Sequence, residues 1–88
     1  MISRDVTLIN SLGLHARPAA QLAMLAANAV SRVRMISDGE QVDAKSIIDM
    51  LTLYCPKGSP VQFAVENDQD IQTLHEITAL AENGFGEN

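Results

Sequence analysis

From Ala19 to Val30 the chain is an almost unbroken run of alanine and leucine, a composition that leaves little other than a helix open to it. Everything on either side has to accommodate that rod. Ahead of it stands Gly13-Leu14-His15-Ala16-Arg17-Pro18, preceded in turn by a strand-like alternation over Ile2 to Ile9 that places Val6 and Leu8, with Leu12 continuing the series, on one side. Gly13 gives the backbone freedom for a tight turn between strand and helix, and Pro18 suits a first helical turn, where an absent N–H costs no internal bond. Proline disfavours helical geometry at the residue before it, so whether Arg17 lies inside that turn stays open. In either case His15 is within one turn of the helix start. The helix is expected to run to about Asn28, with Leu22, Leu25, Ala26 and Ala29 as its core stripe and Arg17, Ala20, Gln21, Met24 and Ala27 along the opposite face.

Beyond the helix, Val33, Met35 and Ser37 alternate with Arg32, Arg34 and Ile36, Asp38-Gly39 is a strong hairpin signal, and Glu40 to Ala44 returns as a third strand. Ser46 opens a short helix, with Asp49 three residues on in a near capping box, ending before Pro56. Pro60 to Val65 reads as a fourth strand. Asn67-Asp68 caps a last helix whose Ile71, Leu74, Ile77, Thr78 and Ala81 share a face, and Gly84 is placed to end it. The order βαββαβα, with half-polar strands and a tight hairpin, predicts an α+β open-faced sandwich in which helices cover one face of an antiparallel sheet. One domain over residues 1–88 is expected, with no linker or internal repeat.

The composition excludes several functions. A net charge of −5 carries no basic stripe for nucleic acid, and one Tyr, two Phe and no Trp give no stacking platform. No apolar run approaches a membrane span and no signal-like segment opens the chain, so no membrane insertion and a cytoplasmic location are expected. A single cysteine, Cys55, rules out an internal disulfide and reads as a lone, partly buried thiol. With two histidines far apart there is no ligand set for a metal, and no cofactor is expected. His75 reads as a surface residue.

His15 is the chemically pointed residue. A helix N-terminus offers unpaired N–H groups and the positive end of the helix dipole, and Arg17 adds a planar cationic fork matched to phosphate oxygens. A neutral imidazole facing such an anion nest is suited to accept a phosphoryl group. Spacing alone equally allows a polar capping residue, and Ser46 is likewise accounted for by capping.

At Gly13-Leu14-His15-Ala16-Arg17-Pro18-Ala19-Ala20, with Lys45-Ser46-Ile47-Ile48 about thirty residues on and Lys57-Gly58 after it, the chain resembles the HPr family, the histidine-containing phosphocarriers of the bacterial phosphoenolpyruvate-dependent phosphotransferase system. The resemblance covers nearly the whole chain. It implies a four-stranded sheet with three helices on one side, and a monomeric, non-enzymatic carrier. His15 would take a phosphoryl group on Nδ1 from enzyme I and pass it to the IIA domains of sugar permeases, Arg17 and the amides of Ala16 and Arg17 would hold the group, and Ser46 would be a target of an HPr kinase/phosphorylase. Ala20, Met24, Ala27, Ile47, Ile48 and Leu51 would form the docking face, although apolar residues at helical spacing are also what a core stripe looks like.

Some positions depart from the sugar-system pattern. Met24 and Ala27 stand where basic residues often contribute to docking, Tyr54-Cys55-Pro56 replaces a stretch usually small, and the tail Asn83-Gly84-Phe85-Gly86-Glu87-Asn88 resembles NPr, the carrier of the nitrogen-related branch. The competing expectations are an NPr-type carrier with regulatory output and a protein-binding module in which His15 is only a cap.

Overall fold

The computed structural model describes residues 1–87. Strands β1 (Ile2–Thr7), β2 (Val33–Ser37), β3 (Glu40–Asp43) and β4 (Pro60–Val65) form one sheet in the order β1-β4-β2-β3, and every neighbouring pair is antiparallel. Helices α1 (Ala16–Ala26), α2 (Ile47–Leu51) and α3 (Ile71–Glu82) cover it, so the open-faced βαββαβα sandwich expected from the pattern is the fold.

The register explains the core. Val6 lies opposite Val61, Met35 opposite Phe63 and Val33 opposite Val65, and all six are buried. Helix α1 lays Ala19, Leu22 and Ala26, each fully buried, against this layer, and its small residues let it approach α3, which brings Leu74, Ile77 and Ala81. Burying a side chain the size of Leu22 or Phe63 contributes about 1.5–3 kcal/mol. At the β2–β3 hairpin, Asp38 and Gly39 both take positive φ (51° and 80°), the geometry that matches the right-handed twist of the flanking strands.

Four expectations at element boundaries are corrected. Strand β1 ends at Thr7 rather than Ile9, and Leu12 is 70% exposed instead of facing inward. The cause is a turn: the Gly13 amide bonds the Asn10 carbonyl (3.0 Å), which puts Leu12 at the corner. Helix α1 starts at Ala16, so Arg17 lies within its first turn, and it ends at Ala26 rather than near Asn28, although Ala29 just beyond is still buried. Strand β3 stops at Asp43. Asn67 caps a 3₁₀ turn over Asp68–Asp70 before α3, which leaves Ile71 exposed while the Asp70 side chain turns inward.

Among the described residues no helix is long and apolar enough to cross a membrane. Cys55 is buried, and its thiol donates to the Ser37 hydroxyl (3.4 Å).

Candidate phosphoryl-acceptor site

The turn before α1 is built against the loop that follows α2. Gly13 sits at φ +62°, and a Cβ there would fall 2.1 Å from the Cys55 carbonyl oxygen, so only glycine fits. One residue on, the Leu14 amide donates to that same carbonyl (2.8 Å). Two successive backbone constraints thus hold the chain where it enters the helix.

His15 is the N-cap of α1, in extended geometry (φ −136°, ψ −171°), and its side chain makes no capping hydrogen bond. The first internal bond of the helix runs from the Ala19 amide to the His15 carbonyl (3.0 Å), and Pro18 has no N–H to donate. The amides of Ala16 and Arg17 therefore precede the first intrahelical bond and point out of the helix end, next to the imidazole and the exposed Arg17. This gives a small anion nest beside an imidazole.

The imidazole is not free to rotate. Nε2 lies 3.1 Å from Oε1 of Glu87, and the same oxygen accepts from Nδ2 of Asn10 (2.9 Å), whose other amide hydrogen goes to the Gly13 carbonyl (2.7 Å). Asn10 is buried and Glu87 half-buried. The Glu87 carboxyl is held below its usual range, first by the hydrogen bond from His15 and then by that from Asn10, against an opposing effect of burial; the charges of His15 and Arg17 act in the same lowering sense. Sequence reasoning named His15, Arg17 and the two amides, which lie together at the start of α1, but neither Asn10 nor Glu87. The one signal for Asn10 was a polar residue interrupting an apolar alternation just ahead of Gly13. For Glu87 it was a phenylalanine set between two glycines in a short tail, a sign that the tail is anchored. Asn88, the last residue of that tail, lies outside the described residues.

The expected docking set is split in exposure. Met24 (75%), Ile48 (78%), Ile47 and Leu51 are exposed, Ala27 is exposed and Ala20 half-buried, while Met50 and Leu53 of the α2 segment go to the core. Helices α1 and α2 pack side by side, and Leu12 and Tyr54 (89% exposed) extend the apolar area from the two loops that meet at Gly13. So large an apolar surface beside the nest is the kind that marks protein contact. Two surface depressions, one lined by Asp5, Val6, Thr7, Ile36, Pro60, Val61 and Gln62 and the other by residues of β2, β3 and Asp49, lie away from His15. Ser46 caps α2, its Oγ accepting from the Asp49 amide (3.1 Å). His75 is exposed, its Nε2 3.5 Å from the Arg4 guanidinium.

Comparison with known proteins decides the family. The model of the PTS HPr component phosphorylation site matches residues 2–83. The chain belongs to the HPr family. It is 45% identical over 87 residues to the phosphocarrier protein HPr of Cupriavidus necator, a match covering 99% of this chain and 98% of that one, and 33% identical to the phosphocarrier protein NPr of Klebsiella oxytoca over 88 residues, covering 99% and 98%. Among solved structures, HPr of Thermoanaerobacter tengcongensis superposes with a TM-score of 0.92 at 32% identity, covering 100% of this chain and 99% of that one. The HPr architecture accounts for the sheet order and for the helix that His15 caps, and membership makes this a phosphocarrier.

Proposed function

We propose that His15 is the residue that carries the phosphoryl group, accepted from phosphorylated enzyme I and passed to IIA domains. One observation carries the reading: His15 is the N-cap residue of α1 and its imidazole makes no capping bond, which leaves the amides of Ala16 and Arg17 as backbone donors for a phosphoryl group on the ring, with Arg17 two residues on as a cation. Such a site must hold its cargo only moderately. Positioning and charge neutralisation set the barrier in phosphoryl transfer, and binding the transferred group too tightly would stop its departure. The exposed Leu12, Met24, Ile47, Ile48, Leu51 and Tyr54, on the elements and loops next to His15, suit transfer between proteins, and we assign docking of enzyme I and IIA to this surface. In this reading the protein acts in the cytoplasm as one unit without a cofactor.

Incubating the protein with enzyme I and labelled phosphoenolpyruvate tests the reading. The label should enter the parent as an acid-labile, alkali-stable phosphoramidate and should be absent from a folded His15→Ala variant. An unlabelled parent, with enzyme I active on another carrier, would instead leave a protein-binding module.

The resemblance of the tail to NPr, together with the similarity to the Klebsiella oxytoca protein along nearly the whole chain, supports a second reading, a carrier in the nitrogen-related branch with regulatory output. Presenting the phosphorylated protein with IIA domains of both branches and measuring the two transfer rates separates them. Ser46 is the regulatory candidate: a phosphate there, added by an HPr kinase/phosphorylase, would place negative charge at the start of α2 beside Ile47 and Ile48.

A further inference from the structure

The tail beyond α3 is folded with more definition than a chain end requires. Gly84, Phe85 and Gly86 all take positive φ (66°, 59° and 75°), an arrangement that side chains disfavour, yet Phe85 is buried in the core. This sharp return brings Glu87 across 72 residues of sequence to the imidazole of His15. Asn10 holds it there. Both hydrogens of the Asn10 amide go to oxygen acceptors, the Gly13 carbonyl and Glu87 Oε1, so the amide has one orientation, and it ties the carboxylate to the turn that sets the helix start.

We propose that Glu87 is a positioning residue for phosphoryl transfer, accepting a hydrogen bond from Nε2–H of His15 and so leaving Nδ1 as the ring nitrogen with a free lone pair. The inference rests on the carrier reading above. An ionised carboxylate has no proton to donate, so the proton between the two groups belongs to Nε2. The hydrogen bonds from His15 and Asn10 hold the carboxyl below its usual range and keep it in that form. During transfer the Nδ1 lone pair forms the bond to phosphorus as the bond from phosphorus to the donor breaks. The proton stays on Nε2 and the ring takes up positive charge. Glu87 faces the Nε2 edge, where it stabilises that charge without competing with the phosphoryl oxygens for the donors at Ala16 and Arg17. Onward transfer reverses the same steps.

A tail that merely anchors α3 would leave the ring nitrogens indifferent to residue 87, and this separates the two roles. In the full-length protein, nitrogen-15 spectra of the neutral His15 ring should show the proton on Nε2 in the parent and in Glu87→Gln, whose amide oxygen still accepts, and a shift toward a mixture of tautomers in Glu87→Ala. The rate of phosphoryl acceptance from enzyme I should fall about three- to tenfold in Glu87→Gln and by at least as much in Glu87→Ala, the range for losing one charge-assisted, partly exposed contact in the transition state. Identical ring-nitrogen spectra in the parent and Glu87→Ala, or an unchanged rate in that variant, would overturn the inference and leave the carrier reading standing. A parent that accepts no label from active enzyme I would overturn the carrier reading itself.

Discussion

The two ends of α1 are finished in opposite ways. At its C-terminal end the carbonyls of Ala23, Leu25 and Ala26 accept from the amides of Ala27, Asn28 and Ala29, and the loop just beyond is held by side chains from distant segments: the Asp70 carboxylate accepts from the amides of Val30 (2.9 Å) and Ser31 (3.0 Å) and from the Ser31 hydroxyl, and Lys45 Nζ donates to the Ala29 carbonyl (3.0 Å). At its N-terminal end the amides of Ala16 and Arg17 lead out of the helix, and the residue in the capping position offers an imidazole engaged elsewhere, on Glu87. Both ends began with the same requirement, since every helix leaves donors at one terminus and acceptors at the other. The molecule bonds the acceptors of one end and leaves the donors of the other beside the imidazole proposed to carry the phosphoryl group.

Perturbing Gly13 should break the open end most severely. An alanine Cβ would meet the Cys55 carbonyl at 2.1 Å in a backbone geometry that already disfavours side chains, so Gly13→Ala should cost about 3 kcal/mol or more. For a domain of this size that corresponds to a fall in Tm of roughly 15 °C. Phosphoryl acceptance should drop with it, because His15 is two residues away. A variant melting within about 2 °C of the parent would show that the turn tolerates displacement and that the open end is not held from this side.

The closed end should answer to acid. Asp70 is held below its usual carboxylate range, first by the Ser31 hydroxyl and then by the Val30 amide, with burial acting in the opposite sense and Lys45 reinforcing the lowering. Because the folded-state pKa is depressed, this stabilisation is fully present above the unfolded carboxylate value near 4 and disappears as the pH falls through the folded value. Asp70→Asn should therefore melt several degrees below the parent at neutral pH, and the gap should narrow below pH 4. Thermal melts across that range check it. A gap that stayed constant with pH would mean that the carboxylate's charge plays no part in closing this end.

How much of this contrast could be read from the residues follows from sequence distance. Local rules reached α1, the Asp38-Gly39 hairpin and the Ser46 cap, because each depends on neighbours within a few positions. They reached His15 for the same reason, since Gly13 and Pro18 bracket it. They did not reach Asp70, which stands in the polar run Asn67-Asp68-Gln69-Asp70 and looks solvated, although its partners are about 40 residues away. Nor did they reach Glu87, whose partner is 72 residues away, or the outward turn of Leu12, where a period of two was carried through a turn that interrupts it. Periodicity reports which way a side chain faces within an element. It cannot report which far segment will supply a hydrogen bond.

The start of α2 is the intermediate case, closed by a group that can be modified, and it sharpens the comparison with the smallest expected effect. Ser46 accepts from the Asp49 amide at 3.1 Å, so Ser46→Ala removes a cap and should cost about 1 kcal/mol, or roughly 4–8 °C in Tm. Phosphoryl acceptance from enzyme I should hardly change, because alanine adds no charge and Ile47, Ile48 and Leu51 keep their exposure. Ser46→Asp should do the reverse: aspartate caps as well as serine, so Tm should stay close to the parent, while the added negative charge beside the docking surface should slow acceptance severalfold at low salt and less at high salt. Measuring both variants by both readouts separates the cap from the proposed switch. If Ser46→Asp accepted the phosphoryl group at the parent rate at low ionic strength, the start of α2 would be a closed end like that of Asp70, structural and without a switch.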